Sequence, residues 1–226
     1  MKAAISVKTA MKTRDRILET SQILFNEEGE HNVTTVDIAS EMNISPGNLY
    51  YHFKGKESIL DALFARFETE FSALLRESGE ARLDLKDYWF FIYVIFEEIY
   101  KYRFLFVNLG DIVLRYRDIE KRFRRLVGQL QSATTRVLGY LAAQGALQLD
   151  TPQTAILGDT ITMVMLYWFS HQRLSNPKMP PEQLIHGAVF RIMCLVSPYV
   201  AEDGKVFINA VESLYAQTVS TAAVRK

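Results

Sequence analysis

Hydrophobic positions along this chain recur at helical spacing from end to end, and the breaks in that pattern predict where each helix starts and stops. Over 13–28, Ile17, Leu18, Ser21, Leu24 and Phe25 fall on one face of a helix that Gly29 closes. Thr34-Thr35-Val36-Asp37 predicts a capping box, with Thr34 bonding the amide at Asp37 and the carboxylate reaching back. The short helix that follows is expected to bury Val36, Ile38, Ala39 and Met42. Asn43 stands where the chain must turn, and Asn enters the left-handed region at little cost. Ser45-Pro46 restarts a helix, Ser45 as N-cap and Pro46 where a missing N–H costs nothing. Two short helices about a tight turn form a helix-turn-helix pattern, and Leu49 and Phe53 (i, i+4) anchor the second of them.

The apolar stripe then lengthens. Leu60, Leu63, Phe64, Phe67, Phe71, Leu74 and Leu75 predict a helix from Lys56 to about Ser78, closed by Gly79. Such a helix would carry its first turns under the small unit and its far half in a second core. Residues 84–101 are apolar on every side and predict a central, surrounded helix. A short bent helix around Tyr102–Phe106 comes next. Helices are then predicted over about 114–144, 152–174, 181–197 and 202–219, with the tail beyond fraying. The fold class is all-α: a basic leader at 1–11, a helix-turn-helix unit at 12–56, and a larger helical domain at 57–226.

Composition narrows the function without fixing it. At 226 residues, 49% hydrophobic and 23% charged, the chain has ample material for a core. Zero formal net charge argues against a nonspecific nucleic-acid coat or a membrane-surface protein, but not against a local basic patch. Lys2, Lys8, Lys12, Arg14 and Arg16 gather near the start against the one acid Asp15, and can lie along phosphates or simply be solvated. One Cys excludes an internal disulfide and fits a reducing cytoplasm. No apolar run reaches the roughly 20 residues of a membrane span, and no secretory signal stands at the start.

Candidate chemistry concentrates at 45–56. Gly47, Asn48, Tyr51 and His52 lie off the Leu49/Phe53 anchor face, and Lys54 and Lys56 follow. Hydrogen-bonding aromatics left uncovered suit phosphates and base edges, and Gly47 lets the helix start approach them closely. The alternative is a helical hairpin whose Tyr and His belong to its core. His31, His52, His171 and His186 have no metal-ligand spacing with Cys194, which reads as a small buried hydrophobe. No clustered acid, base or nucleophile and no cofactor or phosphate loop is present, so an enzyme is not expected. The remaining alternative is a helical lipid-binding or scaffold protein without DNA readout.

The run Thr34-Thr35 … Ile38-Ala39 … Ile44-Ser45-Pro46-Gly47-Asn48-Leu49-Tyr50-Tyr51-His52-Phe53-Lys54-Gly55-Lys56-Glu57, with Arg14–Leu18 and Leu24-Phe25 … Gly29 before it, resembles the signature of the TetR/AcrR family. The resemblance is specific over about 12–65 and architectural beyond. It implies a homodimeric, ligand-gated DNA-binding regulator, usually a repressor, placing its 45–53 helix in each half of a palindromic double-stranded operator. Thr34, Thr35, Ser45, Tyr50, Tyr51, His52 and Lys56 are then expected at phosphates, and Pro46, Gly47 and Asn48 nearest base edges. Asn48 stands where Thr or Ser is frequent. Val36 replaces a basic residue of some members, which puts a base contact from that helix in doubt.

The family's dimer helices correspond to 152–174 and 181–197, whose two-sided hydrophobicity supports a homodimer independently. A ligand cavity is implied in the larger domain, with Trp89, Phe90, Tyr93, Phe96, Tyr100, Phe104, Phe106, Met163 and Tyr167 as candidate lining, although packed core is the default reading for any one of them. Such a cavity favours a hydrophobic small-molecule effector. The pattern is similar to members linked to polyhydroxyalkanoate and fatty-acid metabolism, which implies a fatty acid or acyl-CoA. Arginines at 115–125 read as a solvated face or as a seat for an anionic head group.

Overall fold

The computed structural model describes residues 12–77, 84–211, 213 and 215. Expectations for the leader with Lys2 and Lys8, for Gly79, and for the end of the chain lie outside the described residues. Ten α-helices order the described chain, with no strand among them: α1 (Thr13–Glu28), α2 (Thr35–Glu41), α3 (Pro46–His52), α4 (Lys56–Glu77), α5 (Leu85–Lys101), α6 (Arg103–Val107), α7 (Leu109–Arg115), α8 (Arg117–Ala143), α9 (Thr151–Ser175) and α10 (Pro181–Val196). Residues 205–211 continue as helix.

The chain divides into two compact units, 1–66 and 67–226. The division falls after Arg66, within α4. The first turns of α4 are tied to the small unit through Lys56 to Glu30 and Arg66 to Asp15.

In the small unit, α1 packs Ile17, Leu18, Ser21 and Phe25 inward, while Leu24 is only half-buried. Asn43 adopts φ 53°, the left-handed turn between α2 and α3. Ile38, Ala39 and Met42 are buried, but Val36 is 58% exposed. Two residues before Ile38, Val36 falls about 200° round the helix and faces water.

In the larger unit, Phe67 meets Tyr102, Phe106 and Phe123 at ring separations of 5.3, 5.6 and 6.5 Å. Phe96 meets Phe169 at 6.1 Å. Aromatic packing of this kind fills a core and adds about 0.5–1.5 kcal/mol per pair beyond burial. α8 and α9 approach closely at Gly158, where a Cβ would lie 2.4 Å from the Thr135 hydroxyl, so any side chain there clashes. Trp168 Nε1 donates to the Leu184 carbonyl at 2.9 Å and ties α9 to α10.

Three expectations for this unit are corrected. α5 is not surrounded: Tyr88, Phe91, Ile92, Ile95, Phe96 and Ile99 are buried, while Lys86, Asp87, Phe90 and Glu97 are exposed. The helix predicted over 114–144 is two, broken at Tyr116, whose φ of −115° and ψ of 84° leave the helical region. Cys194 is exposed, because Ile192, Met193 and Val196 take the inward face of α10.

Candidate nucleic-acid interface

Local hydrogen bonding fixes the ends of α2 and α3. Thr34 N donates to Asp37 Oδ2 at 2.8 Å and Asp37 N donates to Thr34 Oγ1 at 3.2 Å, the expected capping box. The Thr34 hydroxyl also donates to Asp37 at 2.7 Å, and these bonds hold the Asp37 carboxyl below the usual carboxylate range. Ser45 Oγ accepts from Asn48 N at 3.1 Å, with Pro46 at the first helical position. Accepting that bond leaves the Ser45 O–H available as a donor.

Leu49 and Phe53 are buried and hold α3 to the unit. Apart from His52, the rest of this short helix is open. Ser45, Pro46, Gly47, Asn48, Tyr50 and Tyr51 are exposed, Tyr51 to 79%. A Cβ on Gly47 would meet only the Ser45 hydroxyl, at 3.9 Å, so nothing within the chain demands glycine there. His52 is half-buried and meets the Tyr51 ring edge-on at 5.2 Å.

Cations flank this face. Lys54 Nζ lies 4.6 Å above the Tyr50 ring, and the Arg14 guanidinium lies 4.8 Å above the Phe53 ring. Lys12, Arg14 and Arg16 are exposed on α1 and at its start. An exposed short helix with a free hydroxyl donor, an amide side chain, two phenols and adjacent cations can take phosphate oxygens and base edges together.

Lys56, expected at a phosphate, is engaged within the small unit. Its Nζ donates to the Glu30 carbonyl at 2.8 Å and pairs with the Glu30 carboxylate at 3.1 Å. Glu30 is 1% exposed, so this lysine neutralises a buried charge. Nothing in the local sequence marks Glu30 as buried. The turn at Gly29, with φ 90°, folds it inward.

The nine aromatic and methionine positions expected around a ligand separate into groups. Phe96, Phe104 and Phe106 are fully buried in the larger unit's core. Trp89 lies 6.3 Å from Tyr93, which in turn meets His186 at 5.5 Å, and Tyr100 meets Phe169 at 5.7 Å. Phe90, Met163 and Tyr167 face outward and are not interior lining. Met163 and Tyr167 join Ile156 and Leu174 at i, i+7, i+11 and i+18 on α9, one uncovered stripe 55–86% exposed. Glu98 is held among other charges on α4 and α5. Burial, and then the neighbouring Glu70, push its carboxyl up to about 7, with Lys101 partly opposing. Among the described residues no group of three His, Cys, Asp or Glu could hold a metal, and no helix is long and apolar enough to cross a membrane.

Comparison with known proteins places both units. Residues 17–63 match the family described as bacterial regulatory proteins, tetR family, and residues 66–206 match TetR, bacterial transcriptional repressor. A TetR-family transcriptional regulator of Marinobacter aquaeolei VT8 superposes with a TM-score of 0.83 at 27% identity, covering 91% of this chain and 99% of that one. The Escherichia coli K12 HTH-type transcriptional regulator UidR is 37% identical over 71 residues, which are 31% of this chain and 36% of UidR. The Staphylococcus aureus biofilm operon icaADBC HTH-type negative transcriptional regulator IcaR is 25% identical over 132 residues, 58% of this chain and 60% of IcaR. The chain thus aligns with about a third of the length of UidR and under two thirds of IcaR.

Proposed function

The chain belongs to the TetR family of bacterial transcriptional regulators, and from that premise we propose that it is a homodimeric repressor of a palindromic operator, released by a small-molecule effector. Members of this family are helix-turn-helix DNA-binding regulators, typically repressors, and not enzymes.

The observation that carries the reading is α3, buried through Leu49 and Phe53 and uncovered at Gly47, Asn48, Tyr50 and Tyr51. In the proposed complex α3 lies in the major groove. Ser45, Thr35, Tyr50, Tyr51 and His52 meet phosphates, with Thr34 held back by its bond to Asp37. Asn48 is the direct reader, since its amide can donate to and accept from adenine at once. The stripe Ile156, Met163, Tyr167 and Leu174 supports pairing of α9 with its copy. A seven-residue helix alone reaches few base pairs, and two-fold symmetry doubles the site.

The effector is proposed to be taken up by the larger unit and to carry an apolar portion, as in a fatty acid or acyl thioester. The aromatic content of α5 and α6 supports this. α4 is continuous from Lys56 to Glu77, so its sequence serves both units. The effector must bind the released state more tightly than the DNA-bound one, or the equilibrium does not move.

The test is selection of bound duplex from a random pool, followed by gel shift at moderate salt. An enriched palindrome bound by a dimer is expected. Recovery of no sequence preference would sink the operator reading. Thermal-shift screening tests the effector, and stabilisation only by polar or cationic compounds would remove the acyl proposal.

A further inference from the structure

The cations from the end of α7 through the first turns of α8 are matched by acids. Arg115 pairs with Asp111 at 2.9 Å, Arg117 and Arg124 with Glu120 at 3.4 and 2.7 Å, Lys121 with Asp118 at 3.6 Å, and Arg122 with Glu68 at 2.7 Å. The arginine-rich run at 115–125 is therefore largely self-neutralised, and only its last member differs. Arg125 faces a groove of about 830 Å³ between α4 and α8 whose other cations are Arg76 and Arg136. None of these three arginines has a carboxylate partner among the described residues, and no described acid lines the groove.

The remaining lining is also suited to an anion. Ser132 offers a hydroxyl, and Ser72 donates to Gln129 Oε1 at 3.1 Å across the groove, leaving the Gln129 amide as a donor. Gly128 lies between Arg125 and Gln129, and a Cβ there would meet nothing within 4 Å, so the floor is open. Arg125, Gly128, Gln129, Ser132 and Arg136 repeat at i, i+3, i+4, i+7 and i+11 and form one face of α8. Arg125 and Arg136 are thus about 16 Å apart along the helix axis.

Three unopposed guanidiniums repel one another unless an anion joins them, and their planar forks match phosphate oxygens two at a time. A single negative charge leaves two of the three guanidiniums uncompensated, whereas linked phosphates carry enough charge and enough acceptor oxygens for all three. We propose that this groove binds a small molecule carrying a diphosphate group, held by Arg76, Arg125 and Arg136. The proposal rests on the reading of the chain as an effector-responsive regulator and names the polar chemistry of its effector.

The test is calorimetric titration of the full chain with inorganic pyrophosphate at fixed ionic strength, with the Arg125→Gln/Arg136→Gln double variant beside it. Arg124→Gln, which removes a charge already paired with Glu120, is the control. Saturable binding of one pyrophosphate per chain is expected, weakened about tenfold or more in the double variant and within about twofold of wild type in the control. Binding that does not saturate, that survives the double substitution, or that falls equally in the control overturns the proposal. Both substituted arginines are exposed, and an unchanged melting curve checks that the fold survives. A gel shift on the selected operator, without pyrophosphate, separates the two readings. Wild-type failure to bind DNA strikes the regulator reading and leaves the groove to the titration. A fall in the double variant's DNA affinity as large as its fall for pyrophosphate makes the groove a nucleic-acid surface and overturns the small-molecule proposal.

Discussion

α3 and α9 both leave large side chains uncovered, and the two exposures differ in kind. On α3 the uncovered groups are two tyrosines, an asparagine and a glycine, with Lys54 and Arg14 alongside. On α9 they are Ile156, Met163, Tyr167 and Leu174, spread along most of a 25-residue helix. Phenols and amides retain their hydrogen bonds to water until a phosphate or base edge replaces them. An isoleucine, methionine and leucine stripe gains only by leaving water, which favours an equally apolar partner such as its own copy. Exposure alone therefore does not identify a function; the polar capacity of the exposed atoms does.

The sharpest way to break this comparison is to make the α9 stripe charged. Met163→Arg with Leu174→Arg places like charges across a symmetric seam and is expected to cost about 3–5 kcal/mol of association. Sedimentation velocity should show monomers, and operator affinity should fall with them. A charged variant that stays dimeric would remove α9 from the interface.

The next effect tests the platform that presents α3. Lys56→Met removes the Nζ partner of the buried Glu30 carboxylate and should destabilise the small unit by about 2–4 kcal/mol. Adding Glu30→Gln should recover much of the loss in a denaturant titration. Were the single variant as stable as wild type but weaker on every DNA, Lys56 would be a phosphate contact after all.

On α3 itself, Asn48→Ala should cost about 1–3 kcal/mol of operator binding and relax base preference at one position. Equal weakening on all sequences would deny it a reading role. Gly47→Ala separates folding from binding. The added methyl meets open space, so helix propensity should stabilise the chain by up to about 1 kcal/mol. Operator affinity should nonetheless fall if the groove comes close to the start of α3. A variant that gains stability and binds DNA as well as wild type would show that glycine serves no approach there.

The smallest expected effect belongs to the larger unit's interior. Glu98 has its carboxyl raised from 4.5 to about 7, so the folded state holds that proton more tightly than the unfolded chain. Its contribution to stability is complete below about pH 4.5 and is lost as pH rises through about 7. Glu98→Gln should flatten the change in melting temperature between about pH 6 and about pH 8. An unaltered pH profile would place the titration elsewhere.

What could be read from the residues in order was local. The bounds of α1, the caps at Thr34 and Ser45, and the left-handed Asn43 depend on groups within four positions of each other. The anchors Leu49 and Phe53, and with them the free face of α3, follow from the same spacing. Where helices are apolar on both sides, spacing offers no choice between faces. Phe90, Met163 and Tyr167 were therefore legible as large apolar groups but not as outward ones. The missed capping box at the start of α9, with Asp150 and Gln153 bonded at 2.7 and 2.9 Å, was local and readable.

By itself, the order of residues determined the helices of the small unit, their ends and the chemistry offered by α3, because backbone caps and i to i+4 contacts form between near neighbours whatever surrounds them. Tertiary packing alone decided that Lys56 serves Glu30, 26 residues away, that α9 keeps one apolar stripe bare, and that Arg76 joins Arg125 and Arg136 along one groove. Those outcomes hang on which distant surfaces meet, and a pattern that repeats every few residues carries no record of its distant neighbours.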